Sequence, residues 1–317
     1  MRYTVTAAVL LASVSASAFG QQRAEERAVV TEPPVGPATR LDEIEAVQDF
    51  WSVDLKGTGM FGADGKQSGD FDLARFELGV SYNMSLRDDL RLRLGFNTQQ
   101  SYYDFSDVTT VVPGTDDPWD HLQSYRLGGA LFWRANETWS WFGGLEVRSA
   151  FESGADFEDT LELRGIGGAE YRVNENLKFT LGIAAGTQIE DDPIVIPILG
   201  IDWEIDEKTR LASRDIGLIL SHEIAQDWSL GVFGNFEFRD WRLDDSRSTI
   251  PGGVAREKRI VAGVEARYRP SNRFEFALEG GVVAWQKLKA LDDDGRKVGD
   301  QDFEPAPYIG ASVVFRF

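Results

Sequence analysis

From Phe50 to the C-terminus, apolar and polar residues alternate with a period of two. In 75–84, Phe76, Leu78, Val80, Tyr82 and Met84 fall on one side, and Glu77, Gly79, Ser81 and Asn83 on the other. In 90–96, Leu90, Leu92, Leu94 and Phe96 oppose Arg91, Arg93 and Gly95. The runs 139–151, 160–172 and 259–269 repeat the pattern. A period of two sends neighbouring side chains to opposite faces of a β-strand. The pattern predicts fourteen strands, the first at 50–62 and the last at 305–317. The run 207–213, "KTRLASR", hardly alternates, and discounting it with a neighbour leaves twelve.

Soluble sandwiches also alternate, so further features are needed to decide the solvent. Aromatics recur beside short polar turns, as in "WRANETWSW" (133–141), "YRVNENLKF" (171–179) and "YRPSNRFEF" (268–276). Trp133, Trp139, Tyr171, Trp203, Trp228, Tyr268 and Phe274 mark one rim. Such rings, apolar but tolerant of water at one edge, collect at membrane interfaces. Connector length alternates too: short turns swap with longer polar stretches at 103–121, 244–258 and 287–304. No apolar run after the first twenty residues is long enough for a membrane helix. Backbone groups facing hydrocarbon cannot stay unpaired, so spanning strands must close into a ring. The expected architecture is an all-β, antiparallel, up-and-down transmembrane barrel of about fourteen strands over 49–317.

The chain closes on "YIGASVVFRF", in which Ile309, Ala311, Val313, Phe315 and Phe317 share one face. A closing strand that alternates and ends in phenylalanine resembles bacterial outer-membrane β-barrels as a class. The resemblance implies an outer-membrane location, contact with outer-membrane lipid, and a C-terminal strand read by the barrel-assembly machinery. The segment 196–243 is similar to outer-membrane barrel families of unknown function, which lend no catalytic residues.

The first twenty residues have Arg2, an apolar run near Val5–Val14 and small residues at two cleavage positions, the pattern of a secretory signal peptide. Residues 21–48 contain "EPPVGP", which supports neither ladder nor helix, and are expected to form a flexible periplasmic segment. Cysteine is absent, which excludes disulfides and thiolate sites. A net charge of −19 argues against nucleic acid.

The polar faces carry the candidate chemistry. Arg91, Arg93, Arg126, Glu146, Arg148, Glu162, Arg164, Glu170, Glu265 and Arg267 are expected to line the lumen. Phe132, Phe142, Phe233 and Trp241 would narrow it. Both charge signs at similar heights describe either a polar channel for small solutes or a cross-braced, closed interior. The first makes the protein a porin-like channel. The second makes it a structural or adhesive barrel with acidic outer loops. A third reading is a hydrolase at the outer rim, using His121 near Asp116, Asp117 and Asp120. The spacing of these residues is unspecific, so no catalytic residue, cofactor or resident metal is assigned. His222 follows Ser221, but strand neighbours point to opposite faces, so the two do not form a nucleophile–base pair. Acidic runs at 154–160, 190–193 and 291–302 offer sites for diffuse divalent cations.

Overall fold

The computed structural model describes residues 49–247 and 249–317. The expected signal peptide and periplasmic segment lie outside the described residues. The strands are β1 (Phe50–Asp64), β2 (Asp70–Arg87), β3 (Leu90–Ser106), β4 (His121–Arg134), β5 (Trp139–Glu152), β6 (Leu161–Asn174) and β7 (Leu177–Gln188). They continue as β8 (Asp191–Glu204), β9 (Thr209–Ser213), β10 (Ile216–Ala225), β11 (Trp228–Arg242), β12 (Val254–Ser271), β13 (Phe274–Leu291), β14 (Lys297–Phe303) and β15 (Ala306–Arg316).

Each strand from β1 to β13 pairs antiparallel with the next, and β15 bridges β13 and β1. The result is a closed ring of fourteen wall strands. β14 and β15 occupy one wall position, because both run along β13 in turn, with Phe303 beside Gln286 and Ala306 beside Val283. Glu304 and Pro305 break the run between them, as expected of a residue that cannot donate to a ladder. The acidic stretch 287–304, expected as a loop, is therefore mostly hairpin, and only 292–296 turns. The stretch 103–121 is likewise shorter, since β3 continues to Ser106, and β12 begins at Val254.

Both described chain ends lie at one end of the barrel, where Ser52 pairs with Arg316. The turns at that end, such as 88–89, 175–176, 226–227 and 272–273, are short. This is the periplasmic end, and the opposite, outer end carries the connections 107–120, 153–160 and 243–253. Leu127, Leu145 and Leu199, at 65%, 64% and 76% exposure, face outward, while their neighbours Arg126, Glu146 and Gly200 are more covered. At the periplasmic rim Trp139 packs on Tyr171 (4.8 Å between centroids), Trp228 on Tyr268 (4.8 Å) and Phe274 on Phe315 (5.4 Å). Trp133, Trp203 and Phe317 are exposed there as well.

The core is not spread around the barrel but sits inside its outer half. Val108, Val111, Val112 and Trp119 of the 107–120 connection are buried, as are Leu243 and Ile250 of 243–253. They pack on wall residues Met60, Phe71, Tyr103, Trp241, Leu288 and Phe303. Trp119 stands edge-on to Tyr103 and Phe105, and Phe303 edge-on to Phe71. These connections fold inward because their apolar side chains find the barrel interior before they find water.

Candidate functional site

Alternation places one ionic layer above another along the inside wall. Nearest the periplasm, Glu275 meets Arg269 at 2.6 Å and Arg267 at 3.2 Å. Above it, Arg214, from the β9–β10 tip, reaches across to Glu265 (2.9 Å) and Glu279 and lies 4.7 Å over the Phe233 ring. Tyr308 donates to Glu279 at 2.6 Å. In the outer half, Arg75 binds Glu257 at 2.7 Å, while Arg239 and Arg259 both hold Glu237 at 2.5 Å. Gln286 donates to the second Glu257 oxygen at 2.8 Å. Arg75 and Glu257 are each 1% exposed. Opposite them, Arg148 pairs with Glu162 and with Asp240 (2.7 Å), and Arg164 with Glu162 (3.0 Å).

Of the residues named from the sequence, Arg93, Glu146, Arg148, Glu162, Arg164 and Glu265 are buried. Arg91, Arg126, Glu170 and Arg267 are half-buried on the same inward face. The pairing Arg148–Glu162–Arg164 joins two adjacent strands as the alternation implies. Phe233 and Trp241 are buried inside, and Phe132 and Phe142 half-buried. Phe142 lies against Gly168 and Gly182, where a Cβ would come within 2.6 Å and 3.3 Å of its ring. In the outer network, Glu237 and Arg239 are further residues that the alternation turns inward, whereas Arg75, Glu257 and Arg259 were not among those it singled out. Glu257 lies in a stretch that reads as loop. Arg75, the first residue of the run 75–84, and Arg259 share the polar parity of their strands, and that was the available signal.

Asp240 differs, since parity groups it with Val232 and Phe236 on the lipid face, yet it is fully buried. The reason is a contact across the ring. β11 touches β5 in parallel at Arg242–Phe151, so toward the outer end the strands β6–β10 are left out of a smaller ring. The face of β11 that alternation assigns to lipid is then covered by β5 and β6. Arg242 is held by Glu190 (2.5 Å) and Asp159 (3.4 Å), and Arg256 by Asp191 (3.0 Å). These contacts latch the β7–β8 tip onto β11–β12.

His121 lies on the outside of the wall at the outer rim, stacked on Tyr102 (4.5 Å) with its Nε2 2.7 Å from the Gln100 amide oxygen. Asp120 accepts the His121 backbone N–H (2.6 Å). His222 is at the opposite rim, its Nδ1 2.9 Å from Thr209 Oγ1. Ser221 donates to the Arg210 carbonyl on the other face. Asp292, Asp293 and Asp294 bring carboxylate oxygens within 4.8 Å of one another at the β13–β14 turn. Asp292 there accepts the N–H groups of Asp294 and Arg296, which orders the turn. Outside the membrane, burial raises the Asp117 carboxyl above the usual aspartate value. Hydrogen bonding to Glu152 holds Arg247 above the ordinary arginine range. Backbone N–H donation lowers Asp206, first from Lys208, and Asp244, from Ser246.

No family model and no curated protein matches the sequence. Among solved structures, an outer-membrane channel from Pseudomonas putida F1 superposes with a TM-score of 0.45 at 12% identity, covering 86% of this chain and 97% of its own. The KdgM porin gives 0.36 at 9% identity, covering 84% and 99%. The Pseudomonas putida toluene transporter TodX gives 0.41 at 11%, covering 86% and 90%. A closed antiparallel ring, an apolar exterior, an aromatic rim and an ionic interior leave one environment that satisfies every surface: the chain is a bacterial outer-membrane β-barrel.

Proposed function

We propose that the protein is a channel barrel whose axis is closed at rest by the connections 107–120 and 243–253 and passes small polar or charged solutes when they move. The observation that carries this reading is the division of the interior. The outer half is packed shut by the apolar side chains of these connections and by buried, paired ions, whereas the periplasmic half is lined by half-buried ions such as Arg91, Glu170 and Arg267. A barrel built only for support gains nothing from a solvated, charged lower lumen. Its best-connected carboxylates would be better replaced by apolar residues of the same size.

The test is ion conductance in planar bilayers, comparing wild type with a variant in which residues 108–118 are replaced by a short Gly-Ser linker. We expect small or intermittent currents from wild type and a sustained larger current from the variant. Neither protein conducting above background would remove the reading. Divalent cations at the acidic outer turns are a separate proposal, tested by calcium-dependent protection of the 292–296 backbone from hydrogen exchange.

A further inference from the structure

β9 has five residues. At ~3.3 Å per residue and the usual tilt, it climbs about 13 Å, roughly half the ~25 Å apolar belt of such barrels. β8 pairs with β9 only at Asp202, Trp203 and Glu204, and above Ile201 its β9 side has no strand beside it among the described residues. The wall therefore has a break, bounded by the β8 edge, the β9–β10 tip, β11 and the latched β7–β8 tip.

The chain is adapted to this break. Ile201 N–H donates to Ser213 Oγ (2.9 Å), and Glu204 N–H donates the other way, to the Asn176 carbonyl (2.8 Å). N–H direction alternates along a strand, so Val195, residue 197 and Leu199 would aim theirs into the break. Residue 197 is proline, which has no N–H to leave unpaired, and Pro193 follows at the bulge where β8 ends its register with β7. Proline is tolerated at edges and blocks strand addition by a second copy. The inward face here is also unlike the rest of the interior. Ile194, Ile196 and Ile198 stand where other strands carry ions, and all three are half-buried. On the lipid side a groove of about 560 Å³, lined by Phe179, Leu181, Leu199, Ile201 and Leu218, ends at the foot of the break.

We propose that this break is a lateral window through which small, uncharged apolar molecules pass between the bilayer and the space behind β8. The groove volume suits a small molecule, and the isoleucine face offers an ion no partner. The window is independent of axial passage, so conductance and lateral entry succeed or fail separately.

The chain has no cysteine, so single labels are clean. Bimane is placed at Ile196→Cys, at outward-facing Leu199→Cys and at Asn97→Cys on the far inner wall, in vesicles of acyl-brominated phosphatidylcholine. An open window quenches position 196 as strongly as 199 and at least twofold more than 97. Quenching at 196 no greater than at 97 overturns the proposal. Entry of N-phenyl-1-naphthylamine into the same proteoliposomes is then measured. Ile196→Arg, and Ile196→Asn as the milder variant, should lower the saturable uptake at least fivefold without changing ionic conductance. Uptake unchanged in a correctly folded variant would overturn passage, leaving a gap that holds acyl chains.

Discussion

Arg148 has its guanidinium between two carboxylates from different parts of the chain, Glu162 on β6 and Asp240 on β11. All three are nearly inaccessible to water. Breaking such a cluster strands charge in a medium that cannot solvate it. Arg148→Met should lower unfolding free energy by about 3–5 kcal/mol, measured by urea titration of heat-modifiable gel mobility. Adding Asp240→Asn, which leaves Glu162 paired with Arg164, should restore most of it, and failure of the double variant to recover would mean that the guanidinium acts through packing. Two aspartates outside the buried networks behave differently. Asp206 and Asp244 have carboxyls held below the ordinary value by donated N–H groups. A depressed folded value contributes stability above the unfolded aspartate value and loses it as pH falls through the folded one, so below about pH 4. Amide protection at Lys208, Thr209 and Ser246 should weaken in that window, and Asp206→Ala should abolish the effect at Lys208 and Thr209 only. At this scale the sequence showed which residues face inward, because side-chain parity is local. It did not show Asp240 buried, because the strand that covers it lies across the ring.

Strands were readable wherever both faces keep one solvent throughout. β2, β3 and β5 face lipid on one side and the lumen on the other, and their periodicity is clean. β14 was missed because its acidic composition matches a loop and Pro305 separates it from β15. β9 reads poorly because five residues carry too few turns of the pattern, yet it is a wall strand and the count is fourteen. β8 holds the most informative discrepancy. Proline inside an apolar run argues against a central strand, and at Pro197 that signal reported an edge within a closed barrel. A proline scan tests it. Val195→Pro and Leu199→Pro remove N–H groups aimed into the break and should change stability by no more than about 1 kcal/mol. Ile196→Pro removes a ladder bond to β7 and should cost about 1–3 kcal/mol from that bond alone. Equal costs at 195 and 196 would mean that something pairs with the β8 edge.

Closure of the whole ring depends on β15, which supplies the partner for β1 and most of that for β13. Phe317, the residue after β15, makes the packing and signalling roles of the C-terminal aromatic separable. Phe317 is 72% exposed, while its backbone exchanges hydrogen bonds with Trp51 at 2.9 and 3.3 Å. Phe317→Ala keeps both bonds and removes a ring that touches little, so the refolded protein in micelles should lose no more than about 0.5 kcal/mol. Phe315, whose ring packs tilted against Phe274, serves as the packing control. Phe315→Ala should destabilise the barrel by about 0.5–1.5 kcal/mol beyond the loss of buried area. If the terminal ring is what the assembly machinery reads, Phe317→Ala will fall severalfold in the outer-membrane fraction of cells despite its unchanged stability in vitro. Normal outer-membrane levels would show that this barrel is recognised through the strand edge instead. A parallel loss in both measurements would show that the ring contributes packing that its exposure does not reveal.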